Sequence, residues 1–208
     1  MKIIKSIILV SLFCYMSCND QGCNQGDVFT REYEPVGVGL NVEEIIAKRN
    51  GLVVANACNM VPLEQIAEAL GLEATQLEVT DSSEKGANRK SSSCFFKWDD
   101  FDLPNAGILF QSMRNPMPDE IPDYVIRFIE SKKSTGERGI DEAPILFQDF
   151  PGIGDEGAYS TDAGKYFWRL GDKALLSIAF NTTHSATEQY VIARKLATLM
   201  TEGYIAGN

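Results

Sequence analysis

With 208 residues, a formal net charge of −10 and a sequence pI of about 4.6, the chain is long enough for one domain with a sizeable core and too acidic to favour a phosphate backbone. Nucleic acid is therefore set aside as a partner, and so is flat electrostatic adsorption on anionic lipid. The 44% hydrophobic and 10% aromatic content excludes a chain that stays unfolded for want of apolar surface.

The N-terminus carries Lys2 and Lys5, an apolar run from Ser6 to Met16, and Ser17 directly before Cys18. A charged start, a short apolar run and a small residue before cysteine mark a secretory signal. The run is too short to span a bilayer as a permanent helix. With Ser17-Cys18 the segment resembles a bacterial lipobox. That resemblance implies cleavage before Cys18 and acylation of its sulfur and new amino group. An ordinary secretory signal ending near a cysteine is the alternative. On the lipobox reading, residues 1–17 are a lipoprotein signal peptide. Residues 18–36 are the lipidated N-terminus and a flexible tether, in which Asn19–Asp27 is polar and glycine-bearing. Residues 37–208 are a single α+β domain. Losing Lys2 and Lys5 takes the formal charge to about −12. Two or more acyl chains hold a protein on a membrane nearly permanently. The expected partner is thus the membrane, through the lipid, at the periplasmic or surface face of the cell envelope. The form of the signal points to the outer membrane.

Five cysteines then divide by role. Cys14 leaves with the signal and Cys18 is the lipidation site. In an oxidising compartment Cys58 and Cys94 are the natural disulfide pair. Cys23, in the tether, has no expected intramolecular partner. Three reduced thiols are the alternative. None of the spacings is a zinc pattern.

Along the domain, Asn41 with Glu44 three residues on is a capping signal for a short helix ending near Gly51, followed by a short extended piece at Leu52–Val54. Pro62 suits a first helical position, and Leu63, Ile66, Ala67 and Leu70 repeat with helical period up to the stop at Gly71. Residues 80–93 read as a loop. Cys94–Trp98 and Gly107–Met113 read as a strand hairpin. A helix is predicted from about Asp119 to Lys132, with Ile121, Tyr124, Val125, Phe128 and Ile129 on one face. Ser134–Gly139 is another polar loop. Pro144–Phe150 reads as a strand. Lys165–Leu170 and Lys173–Phe180 flank Gly171-Asp172, which fits a two-residue hairpin turn. Ser185 and Glu188 form a capping box for a last helix that buries Tyr190, Ala193, Leu196, Ala197 and Met200. Strands in hairpins, with helices before, between and after, predict α+β: an antiparallel sheet with helices packed on a face.

Three stretches together resemble a known family. They are Asn56–Gly71, with Ala57-Cys58 before a helix ending Ala69-Leu70-Gly71; Ser93–Trp98, with Cys94 before an aromatic strand; and Pro151–Tyr159, with Gly152-Ile153-Gly154-Asp155-Glu156. They are similar to a domain-of-unknown-function family found mainly in exported actinobacterial lipoproteins, over roughly residues 55–204. The resemblance implies an extracytoplasmic α+β domain and supports pairing Cys58 with Cys94. It implies no reaction.

The residues that could carry chemistry are few. Gly152–Gly157 is glycine-rich, but no helix with Lys and Ser/Thr follows it, and Asp155 and Glu156 would repel phosphate. It reads as a tight turn built on Gly152 and Gly154, with Asp155 accepting from local backbone N–H groups. Asp99, Asp100 and Asp102 lack the spacing of a calcium loop and read as a solvated hairpin tip. Asp155 and Glu156, as adjacent residues, diverge too much for paired-carboxylate glycoside hydrolysis. His184, the only histidine, reads as an exposed loop residue with no nucleophile elbow beside it. No metal and no cofactor is expected. Alternation puts one of Phe167 and Trp168 outside the core if only one sheet face is buried. Trp98, Phe167 and Trp168 are therefore a candidate binding surface, the alternative being that both faces are covered. The resulting expectation is a lipid-anchored, non-catalytic binding or sensing module with an envelope partner, a basic protein being the best match for the acidic surface. An envelope hydrolase with an unrecognised site and an immunity lipoprotein that neutralises a toxin are the competing readings.

Overall fold

The computed structural model describes residues 54–84, 89–139 and 143–207. The signal, Cys18, Cys23, the tether and the helix expected over Asn41–Gly51 lie outside the described residues, as do Lys85–Asn88 of the first polar loop. The described residues form nine strands and three α-helices. The strands are β1 (Glu78–Asp81), β2 (Ser91–Lys97), β3 (Gly107–Arg114), β4 (Glu137–Arg138), β5 (Pro144–Ile145), β6 (Gln148–Asp149), β7 (Glu156–Ser160), β8 (Lys165–Leu170) and β9 (Ala174–Asn181). The helices are α1 (Leu63–Leu70), α2 (Tyr124–Ser134) and α3 (Ala186–Gly207). Seven strands make one sheet in the order β1-β2-β3-β9-β8-β7-β6, antiparallel throughout, and β4 pairs with β5 apart from it. The protein is α+β.

Strict alternation builds the first layer. On β2, Ser92, Cys94 and Phe96 point inward while Ser91, Ser93, Phe95 and Lys97 stay half-exposed. Register sets Cys94 opposite Phe110 and Phe110 opposite Ile178, so one face of the central strands is continuously apolar. α1 and α3 cover that face. Ile66, Ala67 and Leu70 meet Ala193, Leu196, Ala197 and Met200 there, over Phe96, Phe110, Trp168 and Ile178. α1 stops where its sequence says: Gly71 sits at φ +71°, and the Gly71 and Leu72 amides donate to Glu68 and Ala67 carbonyls. α3 starts at its capping box, with the Ser185 amide donating to Glu188 Oε2 at 2.9 Å.

α2 covers the opposite face of β7–β9. Val125 and Ile129 bury Phe147, Ala158, Phe167 and Leu175 in a second core. This overturns the candidate surface. Phe167 faces α2 and Trp168 faces α3, Trp98 packs into the first core, and all three are buried. Helices lie on both faces of the sheet, so alternation sends neither ring to solvent.

Other elements also differ from expectation. The helix begins at Tyr124 and not near Asp119, because Pro122 disfavours helical backbone at Ile121; Asn115 Nδ2 instead donates to the Ile121 carbonyl at 2.6 Å. Residues 80–93 are not all loop. β1 pairs with β2 along Glu78–Asp81, and its four exposed residues carry no alternation to reveal it. Pro144–Phe150 splits into β5 and β6, with Phe147 buried between them under α2. The last hairpin pairs Leu170 with Ala174, so its loop includes Lys173 as well as Gly171 and Asp172.

Candidate functional site

The disulfide joins Cys58, in the 3₁₀ turn Ala57–Asn59, to Cys94 in β2, with Cα atoms 5.0 Å apart. It fixes this turn onto β2, the strand next to the β1 edge of the sheet. Beside it, Ser92 Oγ accepts from the Ala57 amide at 2.9 Å.

At one end of the sheet lie the turns that precede β7 and follow β8. Gly152 and Gly154 both have positive φ, +73° and +60°. A Cβ on Gly154 would stand 2.4 Å from the Arg169 carbonyl oxygen, so glycine is required there twice over. The Asp155 amide donates to that same carbonyl at 3.0 Å. Its carboxylate reaches another turn: Oδ2 accepts from the Gly171 amide at 2.5 Å. The expected local bond of Asp155 is thus a bond between two turns. Glu156 points the other way, to Lys133 at 2.9 Å and Arg169 at 3.2 Å. The Lys133 ammonium holds the Glu156 carboxyl below the usual range, Arg169 adds to this, and burial opposes it. On the same face, Lys132 lies over the rings of Phe128, Phe147 and Phe167 and pairs with Glu137. Burial pushes the Glu137 carboxyl up, but hydrogen bonds from Lys132 and Lys165 more than offset it and leave it below the usual range. These ion pairs fasten α2 and β4 to the sheet.

The opposite end is organised differently. Between β2 and β3, Trp98 and Ala106 are buried and joined by a backbone bond of 3.1 Å, and Leu103 tucks against the first core. Asp100 Oδ1 accepts from the amides of Asp102 and Leu103 at 2.9 and 3.1 Å. Asn105 takes a left-handed φ of +62°, a conformation asparagine tolerates, to bring the chain back. With both flanks held inward, Phe101 is turned outward, 102% exposed, between Asp99, Asp100 and Asp102.

This tip is tied to the segment between β9 and α3. Asn181 Nδ2 donates to the Asn105 carbonyl at 2.8 Å, and Thr183 Oγ1 bonds Asp100 Oδ2 at 3.3 Å. Around Thr183, the buried atoms Thr182 Oγ1, His184 Nδ1 and Gln189 Oε1 have no hydrogen-bond partner among the described residues. His184 is half-buried and not exposed as expected, because Gln189 folds back from α3 and donates to its carbonyl at 2.9 Å. The Tyr166 hydroxyl also lacks a hydrogen-bond partner among the described residues, and burial, followed by the neighbouring Tyr159 and Tyr190, pushes it well above its ordinary range. Phe101 escapes sequence reasoning, since it lies in no periodic element. The run Asp99-Asp100-Phe101-Asp102 was its one available signal.

Elsewhere, α2 leaves the β2–β3 half of its sheet face open, with Phe95, Leu109 and Gln111 half-exposed. A shallow depression of about 400 Å³ is lined by Glu120, Asp123, Arg127 and Asp172, and Asp123 and Arg127 pair with each other at 2.7 Å. Among the described residues no group of three or more His, Cys, Asp or Glu could hold a metal ion, and no helix is long and apolar enough to cross a membrane. No protein family, curated protein or solved structure matches this chain.

Proposed function

We propose that the protein is a lipid-anchored lipoprotein of the cell envelope whose α+β domain binds a partner protein and catalyses no reaction. The N-terminal segment ending at Cys18 supports the anchor. The Cys58–Cys94 disulfide supports export, since such bonds persist in oxidising compartments. The observation that carries the binding half is Phe101: it is the most exposed large hydrophobic among the described residues and of the residue type that anchors protein interfaces. The acidic groups at the other end of the sheet are engaged in ion pairs and turns, which is a structural role. An immunity lipoprotein facing a basic toxin is the same reading with a narrower partner.

Two measurements test it. Cys18→Ala should abolish incorporation of labelled fatty acid and release the protein from the membrane fraction. In mild detergent the wild-type protein should sediment in an assembly larger than one processed, lipidated chain plus bound detergent. An unlabelled wild type that fractionates like Cys18→Ala sinks the anchor, and a monomer at native concentration sinks the binding role.

A further inference from the structure

We infer that the Asp99–Asp102 tip and the adjoining Thr182–Gln189 segment form one docking surface for a cationic protein partner, with Phe101 inserted in an apolar pocket rimmed by Lys or Arg. The inference rests on the binding reading above and adds where the partner sits and what it is made of.

Two features converge on that chemistry. The first is Phe101 itself. The inward packing of Trp98 and Leu103 holds it out from the surface, so it reaches a partner without the loop first having to rearrange. The second is charge. Asp99 and Asp102, both exposed, flank Phe101 in the sequence, Asp100 adds a third charge although its carboxylate is held by the loop amides and Thr183, and Glu188 stands on the first turn of α3 in the segment that Thr183 ties to Asp100. A hydrophobic anchor flanked by one charge selects a partner of the opposite charge and raises the encounter rate. Lipid is the poorer fit, because the carboxylates of the tip would meet an anionic headgroup layer.

The test uses the full, membrane-anchored chain with Phe101→p-benzoylphenylalanine as the photo-probe in the source cells. A parallel probe replaces Leu109, on the open sheet face. The expected result is a discrete protein adduct from position 101, joined to a peptide flanked by Lys or Arg. Its yield should fall about tenfold when Asp99, Asp100 and Asp102 are all changed to Asn, and it should weaken as salt rises. Asn keeps the Oδ1 acceptor that Asp100 uses within the loop, and circular dichroism of the triple variant checks that the fold persists. An adduct to lipid, no adduct at 101, or an adduct indifferent to the three Asn changes overturns the inference. An adduct from Leu109 alone overturns it while leaving the binding reading intact.

Discussion

The two ends of this sheet carry acidic residues in equal prominence and use them in opposite ways. At the end holding the Gly152–Asp155 turn, Asp155 closes onto the Gly171 amide and Glu156 is gripped by Lys133 and Arg169. Arg169 also donates to the Gly171 carbonyl at 2.9 Å, so charge, turn and strand are bound into one unit. At the end holding Asp99–Asp102, a single carboxylate serves the loop, and an aromatic ring points at solvent. Stability is concentrated in the first arrangement and availability in the second. Acidic composition alone, read from sequence, does not separate the two; which partners lie within 3 Å does.

The largest expected effect tests whether both ends belong to one cooperative unit. The Cys58–Cys94 bridge closes a separation of 36 residues and holds β2, the strand that leads into the open tip. Cys58→Ala with Cys94→Ala should cost about 4 kcal/mol in the chain-entropy account. The two tryptophans give a reporter at each end. Trp98 begins the tip, and Trp168 lies 3.0 Å from where a Gly154 Cβ would sit. Denaturant unfolding followed in Trp98→Phe and in Trp168→Phe backgrounds should show the bridge removal shifting both midpoints together. Separate shifts would mean that the ends unfold independently.

Gly154→Val comes next. It forces a β-branched side chain into φ +60° and drives a Cβ against the Arg169 carbonyl, so the domain should lose about 3 kcal/mol, read as a fall in the urea midpoint. Asp155→Asn should cost much less, because an amide oxygen still accepts from Gly171. If Gly154→Val is tolerated within experimental error, the turn end is not the rigid end.

A pH effect sharpens the contrast further. The folded-state pKa of Glu156 is depressed, chiefly by Lys133. A depressed carboxylate stabilises the fold above its unfolded pKa, near 4.5, and that stabilisation is lost as pH falls through the lower folded value. Glu156→Gln should therefore lower stability at pH 7 and flatten the decline of stability in acid. Thermal melts of both proteins from pH 7 to pH 3 check this; parallel curves would remove Glu156 from the ion-pair network.

How much of this was legible in the sequence follows from what is periodic. The β2–β3 and β8–β9 hairpins, the α1 stop at Gly71 and the Ser185–Glu188 cap were readable, because each rests on residues within a few positions of one another. The disulfide was readable from the positions of Cys58 and Cys94, on the expectation of an oxidising compartment. β1 was not, since an edge strand with four exposed residues has no buried face to impose alternation. The burial of Phe167 beside Trp168 was not, because it depends on α2 crossing over from 40 residues away in sequence to cover a second face. Phe101 was hidden for the opposite reason. The direction of one loop side chain is set by how Trp98 and Leu103 pack into a core assembled from distant segments.

The smallest expected effect is the one that decides what the open end is for. Phe101→Ala should change folding stability by no more than about 0.5 kcal/mol, the range for a surface side chain that makes no cavity when removed. For a buried phenylalanine the same change costs about 3–5 kcal/mol. The comparison is direct within this molecule: Phe96, buried on β2 five residues before Phe101, should show the large value. A Phe101→Ala loss of more than 1 kcal/mol, measured by denaturant titration beside Phe96→Ala, would mean that the ring packs onto the domain in solution. The tip would then be part of the fold and not a presented anchor. A null effect on stability, joined to loss of partner from the membrane assembly, separates a residue kept for binding from one kept for folding, because only binding then depends on the ring.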